Sequence, residues 1–179
     1  MSAPSFDVPG QAYHPALRVL HWLTALFVFV AFPVGFVIDY VKDESKTAFY
    51  LVHESFGFLV LWVMLTRVVV RWIWPPPPNA EINPSLHLVA TLVHGALYAA
   101  LILQPVFGFL ATNAFGFPFS LFGVLPIPSP IGKDPALARY LMGAHIFIGY
   151  SILVLFCLHI GGVLYHQVIR RDAIVQRML

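Results

Sequence analysis

Four apolar runs, at about residues 17–40, 48–74, 85–113 and 138–167, leave this chain few folds to choose from. A membrane-crossing helix needs about 20 predominantly apolar residues. A bilayer offers no water to backbone groups, which favours helices that satisfy their own. Composition agrees, with 59% hydrophobic and 10% charged residues; a soluble domain holds about 45–50% and about 25%. Four spans and their connections use up the 179 residues and leave no room for a separate soluble domain. The expected fold class is therefore all-α, a single integral membrane four-helix bundle. The first run is too long for the core of a signal peptide and lacks a clear small-residue cleavage site, so it reads as a retained span. The single cysteine, Cys157, lies inside the last run and forms no internal disulfide.

The fourth run carries the chemistry. It reads ARYLMGAHIFIGYSILVLFCLHIGGVLYH over residues 138–166, with His145 and His159 fourteen residues apart. On a helix that spacing is about 21 Å of rise, and fourteen steps of about 100° end about 40° short of whole turns. The two rings thus point to nearly the same side, one in each half of the membrane. A histidine in a bilayer is costly and needs a partner. Two on one face suggest two stacked cofactor sites, and the cofactor suited to neutral imidazoles in an apolar slot is haem.

The rest of the chain supplies partners. Residues 1–16, with Pro4, Pro9, Gly10 and Pro15, read as an irregular or interfacial arm. The first span carries His21 about one turn inside, and Pro33 with Gly35 in its second half suggests a kink. The charged stretch 39–47 leads to the second span, with His53 and Glu54 near its start and Arg67 and Arg71 near its end. Pro75 to Pro78 stop that helix. The third span holds His87 and His94 in its first half and a kink site at Gln104-Pro105. Residues 114–136 form the longest connection and are oddly apolar, so this segment is expected on the membrane surface or folded over the bundle as a cap.

Basic residues orient the spans. One side holds Arg18, Arg67, Arg71, Arg170, Arg171 and Arg177; the other holds Lys42, Lys46, Lys133 and Arg139. Six against four favours both termini in the cytoplasm. Four antiparallel spans then fix the depth of each histidine. His53 and His145 share the outer half, and His21 and His159 share the inner half. His21 and His53 lie in opposite halves and cannot share an iron. The fourth span thus offers one ligand to each of two haems. Gly57 and Gly149, each one turn beyond an outer histidine, and Gly161 and Gly162 beyond His159 suit a flat macrocycle, though small residues also serve helix packing.

These residues resemble the bacterial cytochrome b561 family. The matching pieces are Leu20-His21-Trp22, His53 followed by Gly57, and the RVVVRWIWPPP run from Arg67 to Pro77. His94 with Pro105-Val106-Phe107-Gly108, and His145, His159 and His166, complete the likeness. The resemblance implies a four-helix membrane cytochrome with two b-type haems, ligated by His21, His53, His145 and His159, in a bacterial inner membrane. It further implies electron transfer between a donor and the quinone pool. One branch it looks like is the superoxide:ubiquinone oxidoreductases; related membrane subunits anchor hydrogenases and formate dehydrogenases.

Bis-histidine iron leaves no open position, so electrons pass by outer-sphere transfer and no side chain is expected to act as a catalytic acid, base or nucleophile. Ubiquinone is the expected mobile acceptor, with superoxide or a redox protein as donor, the lipid bilayer as surroundings and no nucleic-acid partner. His87 and His94, seven apart on one face, are candidates to hydrogen-bond quinone, as is His166; His87 and His166 are equally read as headgroup-zone residues. His94 also competes with His21 as inner ligand. Arg67, Arg71 and Arg139 are candidates for haem propionates, or for lipid phosphates. Glu54 reads as an ion-pair partner or a proton relay. Two other readings stay open: a haem-binding subunit of a larger dehydrogenase or hydrogenase, and a bundle without haem.

Overall fold

The computed structural model describes residues 12–77, 83–172 and 174–179. Most of the N-terminal arm (residues 1–11) and the last proline of the 75–78 run lie outside the described residues. Four long helices dominate: α1 (Pro15–Val37), α2 (Asp43–Ile73), α3 (Pro84–Phe115) and α4 (Pro135–Leu164). All four are long and apolar enough to cross a membrane.

Local chemistry sets their ends. Proline opens α1, α3 and α4, where its missing N–H costs nothing. Asn83 caps α3 through its side chain on Ser85 N–H, and the Asp134 carboxylate accepts from Ala136 and Leu137 N–H, each at 3.0 Å. Asp43 and Glu44 fall in the first turn of α2, where the helix dipole favours negative charge. Gly116, in the left-handed region at φ 89°, ends α3; Phe117 N–H reaches back to Thr112 carbonyl and Gly116 N–H to Asn113 carbonyl. Pro33 and Pro105 sit inside continuous helices. A π-helical turn, Tyr165–Arg170, closes α4, and Arg171 at φ 53° turns the chain back.

The helices form two antiparallel hairpins, α1–α2 and α3–α4, joined along α2 and α3. Fully buried positions are often small: Ser55, Ala111, Ala114 and Ala138 let backbones approach closely, as in membranes where packing rather than water drives association. Large apolar side chains such as Val69, Leu92, Phe147 and Val154 point outward, towards lipid. Helices α1 and α4 face each other through rings: Phe29 with Phe156 at 5.8 Å and Phe36 with Tyr150 at 6.2 Å between centroids.

The long apolar connection contains a β-hairpin, β1 (Phe119–Leu121) paired antiparallel with β2 (Leu125–Ile127). Three residues, Phe122, Gly123 and Val124, join the strands, and both Phe122 (φ 51°) and Gly123 (φ 72°) lie in the left-handed region. For phenylalanine this is uncommon, and Ser55 of α2 holds it there by accepting the Phe122 N–H at 2.8 Å. Phe119 is buried against Phe58 and Phe109. The connection thus folds over the start of α2 and the end of α3, the outer ends in the orientation expected from the basic residues, while Phe117, Val124 and Leu125 project away from the bundle.

At the inner end the C-terminal tail returns to the bundle. Arg177 donates to the Pro77 carbonyl at 2.9 Å and its own carbonyl accepts from Tyr13 N–H at 3.0 Å. Trp22 Nε1–H reaches the Met178 carbonyl at 3.3 Å. This clasp gathers the start of α1, the α2–α3 link and the C-terminus.

Candidate functional site

Two clusters of imidazoles lie between the helices, one near each end. At the outer end His53 of α2 faces His145 of α4, with ring centres 5.9 Å apart and planes at 87°. His53 Nδ1 is 2.8 Å from the Ala31 carbonyl of α1, and His145 Nδ1 is 2.9 Å from the Gln104 carbonyl of α3. Only a protonated Nδ1 can make those bonds, so both neutral rings carry their acceptor lone pair on Nε2. Each ring also lies against a glycine one turn beyond its carbonyl partner. A Cβ built on Gly35 would collide with the His53 ring, and one on Gly108 would stand 2.8 Å from the His145 ring. The two ligand candidates are thus seated by the same device: a backbone carbonyl and a glycine four residues later on the neighbouring helix. The cleft between them is walled by Phe32, Val60, Leu101, Pro105 and Ile152, with Gly57 opening onto it.

At the inner end His159 of α4 has two neighbours. His21 of α1 lies 6.2 Å away and His94 of α3 lies 5.2 Å away, ring centre to ring centre. His21 Nδ1 is buried and, among the described residues, has no hydrogen-bond partner. Arg67 and Arg71 of α2 stack over Tyr98, one turn beyond His94, at 5.1 and 5.8 Å from the ring centre. The Arg67 Nε is buried and unpartnered. Arg67, Arg71, His94 and Tyr98 therefore form a basic flank to the inner imidazoles. His87 is exposed, nearer the start of α3. His166 is engaged, with Nδ1 at 2.7 Å from Asp172 Oδ2. Arg139 is exposed near the outer start of α4.

This donor set fits haem. Two imidazoles on one metal, with a bond of about 2.0–2.1 Å each and roughly 1 Å from nitrogen to ring centre, bring ring centres to about 6 Å. The outer pair and the His21–His159 pair stand near that spacing. Metal-bound histidines commonly donate their second N–H to a backbone carbonyl, as both outer rings do. The inner unpartnered polar atoms, His21 Nδ1 and Arg67 Nε, are groups that burial penalises unless something pairs with them.

The structure adds details that the sequence does not carry. The glycines pressed against rings are Gly35 and Gly108, on opposing helices. Among the described residues Gly57, Gly161 and Gly162 have no neighbouring side chain within 4 Å of a built Cβ, and Gly149 faces the Gln104 amide at 3.3 Å. Glu54 accepts from Thr112 Oγ1 at 2.9 Å. Gln104, singled out in the sequence only as a kink site, contributes both its backbone and its side chain to the outer cluster. Its signal was a polar amide in the middle of an apolar span.

Comparison with known proteins identifies the family. A profile described as prokaryotic cytochrome b561 matches residues 12–179. Cytochrome b561 homolog 2 of Escherichia coli K12 is 31% identical, over 98% of this chain and 95% of that protein. Cytochrome b561 homolog 1 of the same organism is 27% identical, over 89% and 92%. A probable superoxide oxidase CybB of Yersinia pestis is 24% identical, over 89% and 91%. With four apolar helices and a family match over almost its whole length, this chain belongs to the prokaryotic cytochrome b561 family of multi-pass membrane electron-transfer proteins that bind b-type haem.

Proposed function

We propose that the protein carries electrons across a bacterial inner membrane through two b-type haems, from an outer donor to ubiquinone. His53 and His145 would hold the outer haem, and His21 and His159 the inner one. The observation that carries this reading is the pair of imidazole encounters, at 5.9 and 6.2 Å, served by two histidines fourteen residues apart on α4. Haem with two imidazole ligands supplies a one-electron carrier with no open coordination position.

The chain's own residues prepare that chemistry. The Ala31 and Gln104 carbonyls select the tautomer of His53 and His145 and make the rings better donors. Apolar walls keep water from the outer pair. At the inner end Arg67 and Arg71 offer positive charge to propionates, and the exposed Arg139 offers it outside. His94, beside His159 and one turn from Tyr98, is the imidazole best placed to hydrogen-bond a quinone carbonyl; His87 lies about two turns nearer the inner surface. His166 already has Asp172 as partner. The six-to-four excess of basic residues supports cytoplasmic termini.

Superoxide is the donor we favour, because a relative bears the name of a probable superoxide oxidase. Lys133 and Arg139 place positive charge near the outer start of α4, which suits a small anion. Stopped-flow mixing with superoxide, with ubiquinone present, tests the donor: the haem bands should reduce and then reoxidise. Haems that stay oxidised on mixing rule superoxide out. The sites are tested by reduced-minus-oxidised spectra with haem counted per chain. Each of His145→Ala and His159→Ala should lose one haem; retention of both in either variant refutes that assignment.

A second reading, a relay subunit of a larger dehydrogenase, is favoured by the outward Phe117, Val124 and Leu125 of the outer hairpin, an apolar surface a partner would cover. Turnover by the purified single polypeptide would argue against it.

A further inference from the structure

The outer histidines share one seating device, but their carbonyl donors differ. His53 leans on Ala31, which has no side chain to extend further. His145 leans on Gln104, whose carboxamide reaches around to the other edge of the ring: Gln104 Nε2 lies 3.3 Å from His145 Nε2. Because His145 Nδ1 donates to the Gln104 carbonyl, Nε2 bears no proton and keeps its lone pair for the iron it would ligate; the amide turns its N–H end to that edge of the ring. At 3.3 Å the contact is long for a hydrogen bond. It is better described as a fixed dipole with its positive end beside the nitrogen. The amide oxygen, Oε1, is buried and has no partner, which costs stability in an apolar interior. Gly149, one turn along α4 from His145, leaves the amide its room; a Cβ there would stand 3.3 Å from Gln104 Nε2.

We propose that Gln104 is a positioning residue for the outer redox centre: its backbone carbonyl fixes the rotation and tautomer of His145, and its side-chain amide dipole raises the reduction potential of that centre. The proposal rests on the reading that His145 is an outer ligand. A positive dipole end in a low-dielectric site favours the state that has gained an electron. The effect falls on one ligand of one centre. No counterpart exists at His53, where the corresponding residue is alanine.

The test is a redox titration of the purified holoprotein followed by its split b-type bands, on wild type, Gln104→Leu, Gly149→Ala and His145→Ala. The band lost in His145→Ala is the outer one; if neither band is lost, the ligand reading fails independently of Gln104. In Gln104→Leu the outer wave should move to lower potential while the inner wave stays in place. An unmoved outer wave, or two waves moving together, overturns the proposal. Should Gln104→Leu fail to load haem, Gly149→Ala decides. That substitution displaces the amide without removing any group bonded to His145, so the outer wave alone should shift. A titration indistinguishable from wild type overturns the proposal.

Discussion

His53 and His145 are each held by a carbonyl on one side and a glycine-backed surface on another, so each ring has little freedom to rotate. At the opposite end of the bundle His21 has a buried Nδ1 with no partner, and His159 is approached by two imidazoles rather than one. The difference follows from what surrounds each pair. The outer rings sit where α1 and α3 bring backbone close, through Gly35 and Gly108. The inner rings sit among long basic and aromatic side chains, Arg67, Arg71 and Tyr98, which adjust more easily than backbone does. The outer pair is held rigidly by backbone. The inner pair sits in a more polar and more adaptable surround.

The sharpest way to break this comparison is to remove the competing inner imidazoles one at a time. His21→Ala should abolish the inner b-type component and halve the haem per chain. His94→Ala should keep both haems and instead weaken quinone reduction. The reverse pattern would mean that His94, the nearer neighbour of His159, holds the inner site, and that the 6.2 Å pair is incidental. Haem counting and difference spectra separate these outcomes without an activity assay.

Next in expected size are the glycines behind the outer rings. Gly35→Ala and Gly108→Ala drive a methyl into His53 and His145, and overpacking of this kind costs about 1–3 kcal/mol. Because the ring, not a flexible tip, must yield, the outer component should be lost or broadened while the inner one is kept. Gly161→Ala and Gly162→Ala, which meet nothing within 4 Å of the added Cβ in this structure, should leave the outer component unchanged. Equal damage from all four variants would erase the contrast between a rigid outer and an adaptable inner site.

Much of the architecture could be read before any coordinates. Span length and hydropathy mark four helices but not where each begins: the starts expected at about 48 and 138 leave out polar or proline-led first turns, and α2 opens at Asp43 and α4 at Pro135. Helix rise alone assigns each histidine to a membrane half, because depth is a one-dimensional quantity that sequence carries directly. What faces a ring is not. Gly57 and Gly149 stand at helical spacing from histidines on the same helix, so sequence draws attention to them. Gly35 and Gly108 act on histidines of other helices, and only the packing of α1 on α2 and α3 on α4 brings them there. Pro33 and Pro105 drew attention to the same two stretches, but as kinks. The β-hairpin was hidden for another reason: nearly every residue from Phe115 to Ile127 is apolar, so no alternation distinguishes its faces. Its turn, moreover, places a phenylalanine where glycine or asparagine is usual.

The smallest predicted effect concerns the tether that closes only the outer end. Ser55 is fully buried and its hydroxyl accepts the Phe122 N–H, fixing a backbone conformation that phenylalanine rarely adopts. Ser55→Ala leaves that N–H without its partner, which costs about 1–3 kcal/mol when the group stays buried. If the hairpin instead lifts away, water satisfies the N–H and part of the cost is recovered. Limited proteolysis in residues 117–127 should therefore speed up in Ser55→Ala, with a modest loss of thermal stability. Gly35 and Gly108 hold the outer rings from α1 and α3, independently of the hairpin, so both spectral components should persist. Loss of the outer component in Ser55→Ala would show that the rigidity of the outer pair depends on its cover as well as on the two glycines behind it.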